Sequence, residues 1–122
     1  MKLHLAQAGD RNQFTGYGTG YVMVNQQRYQ RSVVVTPSAL HEDWPVTGVE
    51  VLNAEALRFL LELKPEILLL GTGAKQVFPR PAALREFAQA QIGVESMDTP
   101  AACRTFNILM AEGRNVAAAI IV

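Results

Sequence analysis

The chain has 122 residues, 49% of them apolar and 18% charged, and its 11 basic and 11 acidic side chains cancel. That size and balance predict one globular domain over residues 1–122 with an ordinary hydrophobic core, and they exclude a general electrostatic nucleic-acid binder, which needs a basic face to displace counterions from phosphate. The lone Cys103 excludes an intrachain disulfide, His4 and His41 are too few for a Cys/His zinc site, and no apolar run approaches the roughly 20 residues of a membrane span.

In chain order, the residues from Met1 enter a strand pattern at once. This leaves no room for a secretory or transit segment, so a cytoplasmic protein without direct membrane insertion is expected. The G-x-G-x-G run of Gly16, Gly18 and Gly20 precedes a strand instead of following one, which suits a hairpin, a bulge or a flexible lead-in loop. Gly20 to Asn25 and Arg28 to Thr36 are rich in β-branched and aromatic residues. Asn25-Gln26-Gln27 serves as the short turn between these two predicted strands. Val33-Val34-Val35 has no polar alternation, which predicts cover on both faces, and Pro37 stops the strand. Ser38 and His41-Glu42-Asp43 fall in a predicted solvated loop; without a G-x-S-x-G elbow they suggest no hydrolase. Trp44, beside Pro45, is expected to be exposed and is the candidate partner contact, since tryptophan is favoured in binding hot spots.

The second half changes rhythm. Asn53 is placed to cap a helix whose stripe is Ala56, Leu57, Leu60 and Leu61, and Lys64-Pro65 ends it. Glu66 to Leu70 reads as a short apolar strand. Pro81 opens a second helix that carries Leu84, Phe87, Ala88 and Gln91 on one side, with Gly93 as its C-cap. Val94 to Met97 is another strand. Asp98 or Thr99 caps a last helix with Pro100 in its first turn and Gly113 at its close, and Val116 to Val122 is apolar throughout, as a central parallel strand would be. This is a C-terminal βαβαβ unit, whose parallel strands need helices on the sheet faces, with an N-terminal β-hairpin beside or over the sheet: a mixed α/β fold.

Gly71-Thr72-Gly73 follows a strand directly, at the carboxyl end where open α/β sheets bind ligands. A dinucleotide fingerprint would continue with glycine at position 76, where Gln76 stands, and Val77-Phe78-Pro79-Arg80-Pro81 postpones the helix; Glu95 as a ribose-binding acid rescues little, and no cofactor is expected. The Asp98-Thr99 helix start offers partial positive charge to an anion, although Asp98 can fill those N–H groups itself. Lys75, Arg80 or Arg104 would neutralise an anionic group there. Cys103, one turn into the helix, is read as a structural thiol rather than a redox centre. Asn107, in mid-helix, either bonds a buried loop backbone or faces a ligand, the former being favoured.

Ile67-Leu68-Leu69-Leu70-Gly71-Thr72-Gly73, Asp98-Thr99-Pro100-Ala101-Ala102-Cys103-Arg104-Thr105-Phe106-Asn107 and Glu112-Gly113-Arg114 together resemble the hallmark of an otherwise uncharacterised domain family. Its eukaryotic members include mitochondrial respiratory complex I assembly factor three. The likeness spans nearly the whole chain. It implies a three-layer α/β domain with a mixed sheet, and a part in building complex I through contacts with assembly components. The chain carries no mitochondrial presequence, so it looks like a bacterial relative. The family has no catalytic residues to carry over; Gly71, Thr72, Gly73, Asp98, Thr99, Arg104 and Asn107 are carried over as motif positions alone. The leading expectation is a non-enzymatic assembly factor with protein partners. The alternative is a small-molecule (anion or nucleotide) binding domain or enzyme, with its pocket between Gly71-Thr72-Gly73 and Asp98-Thr99.

Overall fold

A computed structural model describes residues 1–6 and 10–122. A six-stranded sheet forms its middle. It is built from β1 (Lys2–Leu5), β5 (Val33–Val35), β6 (Ala39–Glu42), β7 (Ile67–Thr72), β8 (Gly93–Met97) and β9 (Val116–Ile121), in the order β1-β6-β5-β9-β7-β8. β7 runs parallel to both β8 and β9, whereas β9 meets β5 antiparallel, so the sheet is mixed. A second, antiparallel sheet joins β2 (Phe14–Gly18), β3 (Tyr21–Val24) and β4 (Gln27–Tyr29).

The absence of polar alternation in β9 has the expected cause, because every residue from Val116 to Ile121 is buried. Val116, Ala118 and Ile120 face α3 (Thr99–Ala111) and the small sheet, in a core with Phe14, Val22, Phe106 and Met110. Ala117, Ala119 and Ile121 face the opposite layer, with Leu60, Leu68, Leu70 and Phe87. The Phe14 and Phe106 rings meet edge to face with centroids 5.3 Å apart, fastening the small sheet to α3. Complete burial of Phe106 alone is worth about 2–3 kcal/mol relative to exposure. Three layers result.

The hairpin turn is tighter than the sequence suggests. Asn25 and Gln26 both adopt positive φ, 50° and 70°, so two residues suffice to join β3 to β4, as in turns matched to strand twist. The predicted strand Arg28 to Thr36 divides. Its first part pairs in the small sheet as β4 and its last part in the large sheet as β5. The break lies at buried Ser32, whose hydroxyl donates to the Val46 carbonyl at 2.6 Å while its own carbonyl accepts the Trp44 N–H. The G-x-G-x-G run is no lead-in: Phe14–Gly18 is itself a strand, bulged between Phe14 and Gly16. His41 and Glu42 likewise belong to a strand and not to a loop. Thr36 reverses the chain over Pro37 and Ser38 by bonding Ala39, and β6 then covers the edge of β5 that β9 leaves open.

The helices follow their caps. Asn53 accepts the Ala56 N–H at 2.8 Å at the start of α1 (Ala54–Glu62), and Lys64, at φ 50°, turns the chain out of it. Pro81 opens a 3₁₀ turn, Pro81–Leu84, before α2 (Arg85–Gln89). Gly93 is not the C-cap of α2, as predicted, but the first residue of β8. The helix stops earlier because Gln91, at φ 60°, turns Ile92 inward and its N–H bonds the Phe87 carbonyl. Asp98 caps α3, and Gly113, at φ 80°, closes it with its N–H on the Met110 carbonyl. None of these helices is long and apolar enough to cross a membrane, among the described residues.

Candidate functional site

The glycine turn and the last helix start, 25 residues apart in the chain, share one rim of the large sheet. Gly71 lies opposite Met97 in the β7–β8 ladder, and Thr72 lies opposite Ile121 in β7–β9. Gly71 and Thr72 are strand residues, contrary to the predicted loop, and Gly73 (φ 93°) makes the turn. A Cβ on Gly71 would stand 2.8 Å from Ile120 Cδ1, 3.1 Å from Thr99 Oγ1 and 3.2 Å from Ala102 Cβ. Glycine there lets α3 approach the sheet closely. The motif is a packing requirement first.

The rim is also stitched shut. The Thr99 hydroxyl donates to the Ile121 carbonyl at 2.6 Å and accepts the Gly73 N–H at 2.9 Å, while the Thr99 N–H donates to the Gly73 carbonyl at 2.8 Å. Asp98 Oδ1 accepts the Ala101 N–H at 2.9 Å, and the Asp98 carbonyl accepts that of Ala102. The Thr72 hydroxyl donates to the Lys75 carbonyl and accepts the Val77 N–H at 3.0 Å. The N–H groups of Gly73, Thr99, Ala101 and Ala102 are thus bonded within the chain, and Pro100 has none. An anion at this helix start would have to displace the Asp98 carboxylate and the Thr99 hydroxyl.

The remaining predicted residues do not converge on that rim. Lys75 is exposed beyond it. Arg104 turns to the small sheet, where Nη1 donates to the Tyr17 hydroxyl at 2.8 Å. Asn107 clasps the Phe14 backbone at both ends, Oδ1 accepting its N–H at 2.8 Å and Nδ2 donating to its carbonyl at 2.7 Å. Cys103 is buried, and desolvation pushes its thiol up to about 12 despite the nearby Arg104 charge, so it stays protonated.

Trp44 is a correction. It is 2% exposed and packs in the core beneath α1 with Ala56 and Leu60. The bonds of the Trp44 N–H to the Ser32 carbonyl and of the Val46 N–H to the Trp44 carbonyl pin this stretch inward, and a large apolar ring fills the space below the helix. As placed, it offers no surface to a partner.

What sequence reasoning missed is the role of the segment Val77 to Ala83, of which Val77 to Pro81 was read as a delay before the helix that Pro81 opens, with Arg80 as a candidate cation. The segment stands as a ridge between two open clefts. The first, about 680 Å³, lies between this ridge, the short 3₁₀ turn Val49–Val51 and α1; Leu52, Leu57, Leu61 and Phe87 supply its apolar walls. Arg58 and Arg80 also line it, and neither has a carboxylate within ion-pair reach among the described residues. The second, about 670 Å³, opens on the flank toward β8. Phe78 borders both and is 74% exposed, while its neighbour Pro79 is buried and anchors it. The base of the ridge is held by Gln76 Nε2 donating to the Ser96 carbonyl and Ser96 Oγ donating to the Val77 carbonyl, both at 2.8 Å. The legible signal was an aromatic residue directly ahead of two closely spaced prolines, with no helical or strand period to bury it.

The first cleft runs along α1 from Ala54 to Leu61, and the second runs along β8 from Val94 to Ser96. Their described lining contains neither histidine nor cysteine. Apolar walls, an exposed aromatic ring and free guanidinium groups are equipped to hold another molecule's surface.

Comparison with known proteins bears on what that molecule is. Residues 14–121 match the family described as "Protein of unknown function (DUF498/DUF598)". The chain is 30% identical over 109 residues to the "13 kDa major membrane protein" of Francisella tularensis subspecies holarctica, covering 88% of this chain and 89% of that protein. It is 42% identical over 89 residues to NADH dehydrogenase (ubiquinone) 1 alpha subcomplex assembly factor 3 of Danio rerio, covering 71% of this chain but only 51% of that protein. It thus spans about half the length of that assembly factor. A crystal structure of a Bordetella parapertussis protein superposes with a TM-score of 0.87 at 42% identity, over 93% of this chain and 98% of that one.

Proposed function

The chain belongs to the DUF498/DUF598 family, and on that premise we propose that it is a non-enzymatic assembly factor that binds a protein partner in respiratory complex I biogenesis. The relatives named as complex I assembly factors support the direction of this reading. The observation that carries it to a place on the molecule is Phe78, held out on an anchored ridge with a cleft on either side. An aromatic ring 74% exposed costs solubility and contributes nothing to the core, whereas docked in a partner's pocket it is a strong anchor. Arg58 and Arg80, with Glu50 and Glu86 in the same cleft wall, offer charges of both signs to that partner's rim.

The test is genetic and biochemical. Deleting the gene in its own cell removes assembled complex I from native gels and lowers membrane NADH oxidation. The wild-type gene restores both, and Phe78→Glu does not, although that variant folds. A deletion strain that assembles complex I at the wild-type level overturns the role. Full rescue by Phe78→Glu overturns the surface while leaving the role.

A further inference from the structure

The two outer edges of the six-stranded sheet are treated differently. β8 is partly covered, because Gln76 bonds its Ser96 carbonyl and the Ser96 hydroxyl in turn holds the Val77 carbonyl. β1 is open. The Ala6 N–H donates to the Ser38 carbonyl at 2.8 Å, and this sets the phase of the β1–β6 ladder. With Lys2 opposite Glu42 and His4 opposite Leu40, those residues bond inward, and the N–H and C=O groups of Leu3 and Leu5 point outward. The β5–β6 ladder has the matching phase, since the Thr36 N–H bonds the Ala39 carbonyl and directs Ala39 and His41 toward β5. No strand pairs with the outer side of β1 among the described residues.

The two faces of β1 are as distinct as its two edges. Leu3 and Leu5, 52% and 71% exposed, line the face toward α1, where His41 lies against the Phe59 ring. Lys2 and His4 line the other face, bordering a groove of about 520 Å³ beside the β3–β4 turn together with Arg28 and Tyr29. Glu42 is engaged by His4 at 2.8 Å, and Arg28 Cζ lies over the Tyr21 ring, 3.9 Å from its centroid. Neither Lys2 nor Arg28 has a carboxylate within ion-pair reach among the described residues.

From this we infer that the β1 edge takes up an extended partner segment by strand addition, one whose apolar and acidic side chains alternate. The outward backbone groups of Leu3 and Leu5 supply the hydrogen bonds. Alternate apolar side chains of the guest pack beside Leu3 and Leu5, and the intervening carboxylates fall on the Lys2 and Arg28 side. A second copy of this chain is a poorer occupant. Pairing β1 with itself in the antiparallel register that sets Leu3 against Leu5 places His4 against His4 and Lys2 against Ala6, which gives Lys2 no carboxylate to pair with. This surface is separate from the Phe78 ridge and stands or falls without it.

The probe is a fluorescein-labelled peptide of sequence Thr-Val-Glu-Val-Glu-Val-Thr, titrated with the full chain and followed by anisotropy. Binding is expected, weakening as salt is added, with slowed amide exchange at Leu3 and Leu5. Leu3→Pro removes an outward N–H without touching the β6 ladder, a site where an edge strand tolerates proline, and it abolishes binding. Lys2→Glu combined with Arg28→Glu, both at exposed positions, weakens binding by about tenfold or more, the scale of lost charge-assisted contacts. The proposal is overturned if the peptide fails to bind the wild-type chain, if a peptide with lysine in place of glutamate binds as well, or if Leu3→Pro binds normally. A dimer in sedimentation that Leu3→Pro dissociates would assign the edge to a second copy and overturn it too.

Discussion

Replacing Thr99 by valine keeps the side chain's volume and branching and deletes one oxygen. That oxygen joins the Ile121 carbonyl at 2.6 Å to the Gly73 N–H at 2.9 Å, so its loss affects two backbone groups. Ile121 is buried, and a buried carbonyl stripped of its donor costs about 1–3 kcal/mol. Gly73 is half-buried and recovers part of its bond from water, leaving about 1 kcal/mol. Thr99→Val should therefore lower stability by about 2–4 kcal/mol. With a urea m value of about 2 kcal/mol per molar for a chain of this size, the midpoint falls by roughly 1–2 M at unchanged m. Thr99→Ser, which keeps the oxygen and loses a methyl group, costs about 1 kcal/mol. Urea titrations followed by the fluorescence of Trp44 measure both. If valine shifts the midpoint no further than serine, the hydroxyl does not fasten the rim, and the reasoning that removes the anion pocket from it fails.

Asn107→Asp turns a donor into a second acceptor facing the Phe14 carbonyl, and is expected to cost about 1–3 kcal/mol while leaving Asn107→Gln unable to rescue the clasp, because its longer arm overshoots. Trp44 is the only tryptophan, so iodide should leave emission of the folded chain nearly unquenched, and ready quenching would contradict its burial. Its indole N–H is buried without an acceptor among the described residues, so Trp44→Phe should fall within about 1 kcal/mol of wild type, against about 3–5 for Trp44→Ala. The Cys103 thiol has its folded value raised from 9.0 to about 12. Above pH 9 the unfolded chain releases this proton while the folded chain keeps it, so stability falls with rising pH by up to about 1.4 kcal/mol per unit. Urea stability measured across that range should lose this slope in Cys103→Ala, and a thiol reagent should not label the folded wild type near neutral pH.

The βαβαβ half was legible because its signals are local. Asn53, Asp98 and Gly113 mark helix ends through bonds to neighbours a few residues away, Pro100 marks one by its fixed φ, and the unbroken apolar run of β9 reports two covered faces whatever covers them. The N-terminal half was read less well because its pairing is set at a distance. Nothing between Arg28 and Thr36 shows that Ser32 will bond Val46 and Trp44 and so divide one strand between two sheets. Trp44 failed for a related reason. Flanked by Asp43 and Pro45 it looks like a surface residue, and its burial depends on α1 arriving above it. Gly71 and Thr99 were identified as belonging together, but not that each satisfies the other's neighbourhood.

That last point moves the functional surface. In an α/β sheet that binds a ligand at its carboxyl rim, the turn glycines leave N–H groups unpaired for the guest. Here Thr99 takes the Gly73 N–H and Asp98 takes the Ala101 N–H at the helix start, and the connection after β7 is released from lining a pocket. The segment Thr72 to Pro79 then does two things at once. Its first part bonds Ser96 and covers part of the β8 edge, and its last part holds Phe78 in solvent on a fixed base. Stiffness at the base is what makes the ring an effective anchor, because a ring already held in place loses little freedom on docking. Covering part of β8 leaves β1 as the more open edge of the large sheet among the described residues. On the proposed reading, one packing decision, a glycine at position 71 that admits α3, leaves recognition to the two sides of the sheet instead of the rim.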